Sequence, residues 1–138
     1  QINNNSAYIV TNNHVIDGAN EIRVKLHNKK QVKAKLVGKD EVTEIAVLKI
    51  ENTKGIKAIQ FANYSKVQTG DSVFAMGNPL GLQFANSVKS GIISASERTI
   101  DAETPGGNTK VSVLKTDAAI NHGNSGGALI DINGNLVG

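Results

Sequence analysis

In Glu21-Ile22-Arg23-Val24-Lys25-Leu26, and again in Val32-Lys33-Ala34-Lys35-Leu36, apolar and charged residues alternate with a period of two. No stretch of the chain carries a sustained apolar stripe at the 3.6-residue helical period, so the pattern calls for strands that bury one face. His27-Asn28-Lys29-Lys30 supplies the turn of a hairpin between the two segments. Arg23, Lys25, Lys33 and Lys35 then form an outward, solvated face with no interleaved aromatics on which bases could stack. Ala7–Thr11 reads as a strand that runs into Asn12-Asn13-His14 and the apolar pair Val15-Ile16. Ile45–Ile50 reads as a buried strand, with Gly38-Lys39-Asp40-Glu41 as the turn before it. Ser72–Met76, Val88–Ser94, Val111–Lys115, Ala128–Ile132 and Leu136-Val137 are further short strands. They are separated by Gly77-Asn78-Pro79-Leu80-Gly81, by Thr104-Pro105-Gly106-Gly107-Asn108 and by the hairpin signal Asn133-Gly134. Short strands at regular spacing predict an all-β fold, a sandwich or a pair of barrels.

At 138 residues the chain allows one domain or a compact pair of subdomains. The polar stretch Glu51 to Gly70 is the best connector, which places a boundary near Tyr64 and gives subdomains 1–64 and 65–138. Hydrophobic residues at 39%, together with 14 glycines, leave enough apolar material for a packed core. With no cysteine in the chain, disulfides, thiolate metal sites and cysteine nucleophiles are all excluded. A net charge of +3 is far from the concentrated charge of a dedicated nucleic-acid binder. The longest apolar run, Ile45 to Leu48, falls well short of the roughly 18 residues of a membrane span, and Gln1-Ile2-Asn3-Asn4-Asn5 has no signal-peptide character.

Thr116-Asp117-Ala118-Ala119-Ile120-Asn121-His122-Gly123-Asn124-Ser125-Gly126-Gly127-Ala128-Leu129 is the most informative segment. A serine flanked by glycines in a sharp turn can be presented as a strained nucleophile with room for a substrate carbonyl. Alone, such a pentapeptide is more often a plain turn. Two further segments change its weight. Thr11-Asn12-Asn13-His14-Val15-Ile16 ends a strand in a histidine, and Thr43-Glu44-Ile45-Ala46-Val47-Leu48 opens another with a carboxylate. The chain order His, acid, Ser is that of the chymotrypsin arrangement, in which histidine takes the serine proton and a carboxylate holds the imidazole in the useful tautomer.

Through Thr-Asn-Asn-His-Val-Ile, Thr-Glu-Ile-Ala-Val-Leu-Lys-Ile, Gly-Asn-Pro-Leu-Gly-Leu and Thr-Asp-Ala-Ala-Ile-Asn-His-Gly-Asn-Ser-Gly-Gly, the chain resembles the HtrA (Deg) family of trypsin-like serine proteases over essentially its whole length. The resemblance implies His14 as general base, Glu44 at the position of the family's aspartate, and Ser125 as nucleophile. It implies an oxyanion hole in Gly123-Asn124-Ser125, its donors the backbone N–H groups of Gly123 and Ser125. Donors two residues apart in a glycine-containing turn can indeed point at one oxygen. The implied fold is two perpendicular six-stranded antiparallel barrels, here incomplete at both ends, because family members carry a further strand before the position of Gln1 and more after Gly138. A chain with these ends is expected to associate through its open strand edges. ATP-independent cleavage of unfolded or misfolded polypeptides, a trimeric building block, a PDZ domain downstream and export to the periplasm or cell surface are likewise implied. No cofactor, metal or nucleic acid is.

Two residues depart from the family pattern. Glu44 adds a methylene to the family's aspartate, and a carboxylate displaced by about an ångström can cost on the order of a hundredfold in rate. Weakened catalysis, a compensating backbone shift, or substitution by Asp40 would follow; Asp40 reads more simply as a turn residue. His122 stands where the family usually has proline, which would fix φ near −65°, so a looser loop is expected. These departures keep a second reading in view, a protease-like module that holds extended polypeptide without cutting it. His14, His27 and His122 lack the His-x-x-x-His spacing of a helical zinc site, and His27 reads as solvent-exposed. Gly77-Asn78-Pro79-Leu80-Gly81 lacks the Gly-Lys-Ser/Thr of a phosphate loop. Asp117 and Asp131 read as turn or surface carboxylates, with Asp117 near enough to hydrogen-bond the serine loop.

Overall fold

The computed structural model describes residues 1–3, 5–51, 54–77, 87–104, 107–120 and 123–138. These form two compact units, Gln1–Ala58 with Thr104, and Ile59–Glu103 with Gly107–Gly138.

In the first unit, β1 (Ile2–Asn3), β2 (Ser6–Asn12), β3 (Ile22–Lys25), β4 (Gln31–Asp40) and β5 (Ile45–Glu51) make one antiparallel sheet in the order β1-β2-β5-β4-β3. The period-two segments form the hairpin β3–β4 with Arg23 opposite Lys33. Like charges directly opposite repel, and Glu21 offsets this by pairing with Arg23 at 2.5 Å and with Lys33 at 2.8 Å. Ala46, Leu48 and Ile50 of β5 are buried while Ile45 is exposed. The apolar run is thus buried on one face and only partly covered on the other. Ile16, Ala46 and Leu48 form the core, with Ile9, Ile22, Val24 and Ala34 packed against it.

The expected turn at Gly38–Glu41 lies three residues later. The register steps from Leu36↔Leu48 to Gly38↔Val47, leaving Val37 as a bulge, and pairing continues through Lys39↔Ala46 and Asp40↔Ile45. Gly38 therefore marks a bulge within a strand, which bends the ladder without ending it. The turn itself is Glu41–Glu44. The Asp40 carboxylate closes it by accepting from the Val42 N–H at 3.1 Å and the Thr43 hydroxyl at 2.7 Å.

In the second unit, β6 (Ser72–Gly77), β7 (Ser87–Thr104), β8 (Gly107–Thr116) and β9 (Ala128–Asp131) form a sheet in the order β8-β7-β6-β9. The fold is all-β, in sheets of five and four strands where the resemblance implies six-stranded barrels, and among the described residues no ladder closes either sheet. β7 runs ten residues past its apolar start, to Thr104. Those residues are mostly polar and the described ones largely exposed, so pairing with β8 holds them where burial does not. Leu136-Val137 is no strand of its own; Leu136 makes single bridges to Phe61 and Ile130. Asp131 shapes the turn before it by accepting the N–H groups of Asn133 and Asn135, each at 2.8 Å. Val73, Ala75, Ile93, Ala118 and Leu129 form this unit's core.

Candidate active site

Asn12 ends β2 and the chain turns directly into α1 (Asn13–Ile16), a single helical turn. Ile16, 7% exposed, pins that turn into the first core. Burying such a side chain contributes about 1.5–3 kcal/mol. His14 lies on the exposed side of the turn.

Glu44 closes the turn before β5 with φ at +59°, a left-handed conformation that a residue with a side chain adopts only when its surroundings impose it. Its carbonyl accepts the Asn13 N–H at 2.9 Å and the Asn12 Nδ2–H at 3.1 Å. Its carboxylate Oε2 lies 2.8 Å from His14 Nδ1 and accepts the His14 main-chain N–H at 3.2 Å. The hydrogen bond from the His14 ring holds the Glu44 carboxyl below its ordinary 4.5, with the His14 N–H and charge adding to this and partial burial opposing it. An ionised carboxylate can only accept. Nδ1 of the neutral ring therefore carries the proton, and Nε2 presents its lone pair.

The second unit positions Ser125. Where β8 ends, the Thr116 hydroxyl donates to the Ile92 carbonyl at 2.8 Å and accepts the Ala118 N–H at 3.1 Å. The Asp117 carboxylate accepts the Ile92 N–H at 2.7 Å, so Asp117 ties this run to β7. Ala118 is buried. Beyond it, Asn124–Gly127 is a turn closed by the Gly127 N–H on the Asn124 carbonyl at 2.8 Å. Gly126 takes φ +80° at its third position, the signature of a type II turn, and that leaves Ser125 exposed at the corner. The Asn124 side chain is buried against Gly77, where a Cβ would collide with its carboxamide, and its Nδ2 donates to the Ala119 carbonyl at 3.4 Å.

His14 and Glu44 are thus brought together within the first unit, whereas Gly123, Asn124 and Ser125 share one loop of the second. Asp40 is engaged in its own turn and Asp131 in its own. His27 is exposed. Among the described residues no cluster of three or more metal-ligating side chains occurs. His122 and positions 78–81 of the Gly77–Gly81 segment lie outside the described residues. Sequence reading missed Asn12 and Asn13 as partners of Glu44, and Gly77 as the seat of Asn124. Only pairing across distant segments reveals either.

Comparison with known proteins agrees over the whole length. The family model described as trypsin-like peptidase domain matches residues 2–138. Serine protease Do-like HtrB of Bacillus subtilis (strain 168) is 51% identical over 132 residues, covering 96% of this chain and 29% of that protein. Periplasmic serine endoprotease DegP of Escherichia coli (strain K12) is 44% identical over 138 residues, 99% of this chain and 28% of that protein. The solved structure of the HtrA-type protease AlgW with decapeptide matches with a TM-score of 0.86 and 44% identity, over 99% of this chain and 40% of that one. The chain spans under a third of the length of these two curated relatives. With a trypsin-like family match over nearly every residue and HtrA proteases alike in both sequence and structure, the chain belongs to the HtrA/Deg family of trypsin-like serine proteases.

Proposed function

We propose that the chain is the catalytic part of a serine endopeptidase that cleaves unfolded or misfolded polypeptides without ATP, with Ser125 as nucleophile, His14 as general base and Glu44 as the acid that orients it. The contact of Glu44 Oε2 with His14 Nδ1 at 2.8 Å is the observation that carries this reading. It supports a working base because it favours the tautomer in which Nε2 can receive a proton.

The chemistry follows in balanced steps. Ser125 Oγ attacks the peptide carbonyl carbon while its proton passes to His14 Nε2, and the imidazolium formed is stabilised by the Glu44 carboxylate. The Gly123 and Ser125 N–H groups take the negative oxygen of the tetrahedral intermediate, each donor being worth roughly 2.7–4 kcal/mol in the transition state. His14 then returns the proton to the leaving amine as the C–N bond breaks, leaving an acyl-serine. Water, deprotonated by the same Nε2, attacks the acyl carbon, and as the bond from that carbon to Ser125 Oγ breaks the imidazolium returns its proton to Oγ and the acid is released. Protomers assembling as trimers, a PDZ domain following in the full-length protein, and work outside the cytoplasm belong to the same proposal. The DegP relative, named periplasmic, supports the last of these.

Incubation with a permanently unfolded polypeptide tests the reading. Cleavage by the unaltered protein without ATP, abolished in Ser125→Ala, is the expected result. Binding without cleavage, or cleavage that survives Ser125→Ala, overturns it.

A further inference from the structure

We propose that Asn12 is a positioning residue for this reaction, its carboxamide holding the Glu44 main chain left-handed so that the carboxylate meets the His14 ring. The proposal rests on the reading of His14 and Glu44 as base and acid.

Asn12 stands at the N-cap of α1, where an asparagine side chain ordinarily accepts an N–H of the first turn. That cap bond is not made. Instead Nδ2 reaches across to the Glu44 carbonyl, thirty-two residues on, at 3.1 Å. The neighbouring Asn13 N–H donates to the same oxygen at 2.9 Å. Two donors converging on one carbonyl fix the peptide plane that follows Glu44, and with it the turn of a residue whose φ is +59°. The side chain leaving that backbone is the one that places Oε2 at 2.8 Å from Nδ1.

Asn13 shows the same preference. It is 2% exposed, and its side chain adds to the interactions that hold the Glu44 carboxyl low. Its main chain serves Glu44 directly. Both asparagines that precede the histidine are thus committed to the acid.

Two variants separate this role from helix stability. Asn12→Asp keeps the size and can cap α1, but it cannot donate to the Glu44 carbonyl. Asn12→Ala removes the donor without adding charge. Both are expected to stay folded with KM unchanged and a thermal midpoint lowered by only a few degrees, to lower kcat by about tenfold, the worth of one hydrogen bond, and to move the NMR titration of the Glu44 carboxyl upward toward its ordinary value. Asn12→Asp that retains full kcat, together with a Glu44 titration unchanged in both variants, overturns the proposal. If the unaltered protein cleaves nothing, the functional reading fails, and the Glu44 titration alone still decides the role of Asn12.

Discussion

At Glu44 a backbone cost and a side-chain gain meet in one residue. A non-glycine residue at φ +59° is strained by about 1–3 kcal/mol. Two hydrogen bonds to its carbonyl, each contributing about 0.5–1.5 kcal/mol, offset this. Because the His14 contact holds its carboxyl below the ordinary 4.5, Glu44 binds its proton less readily in the folded than in the unfolded chain. The stability it contributes is therefore fully present above the unfolded value and lost as pH falls through the lower, folded one. Glu44→Gln removes that dependence. In urea unfolding measured from pH 7 to pH 3, the advantage of the unaltered protein over Glu44→Gln should shrink on the acid side; a constant difference across that range would contradict the assignment. The same variant should lose on the order of 10⁴-fold in kcat, the size of loss when a triad acid becomes an amide that cannot hold the correct tautomer.

Among the elements, glycines with opposite surroundings make paired tests. A Cβ on Gly77, the last residue of β6, would strike the buried Asn124 carboxamide of the serine turn, whereas a Cβ on Gly38 at the β4 bulge meets nothing within 4 Å. Gly77→Ala should therefore cost about 1–3 kcal/mol by overpacking and impair hydrolysis, while Gly38→Ala stays within about 0.5 kcal/mol. Thermal denaturation of the two variants checks both, and equal losses would contradict the packing described. The same elements show what the sequence could and could not reveal. Alternation exposed β3 and the first half of β4 because one face of each is wet, and the motif residues marked His14, Glu44 and Ser125 as a set. Gly38 was misleading because a bulge and a turn both use glycine, and only the partner strand tells them apart. The far half of β7 was hidden because its residues lack apolar alternation and are held by pairing with β8. The hydrogen bond from Asn12 to Glu44 was hidden because the two residues stand thirty-two positions apart.

On the scale of the whole molecule, each unit carries its own core, Ile16, Ala46 and Leu48 in one and Val73, Ala75, Ile93, Ala118 and Leu129 in the other. Ile16 of the first core anchors the turn bearing His14, and Ala118 of the second anchors the run leading to Ser125. The two parts are distant in sequence and act as one device only if the hydroxyl of Ser125 is activated by the imidazole of His14. Reaction with a fluorophosphonate, with the adduct located by mass spectrometry, tests this most directly, since an ordinary serine hydroxyl does not react. One adduct per chain, carried by Ser125 and lost in both Ser125→Ala and His14→Ala, is the predicted result. A folded protein that takes up no label, or one that labels equally well without His14, would contradict it.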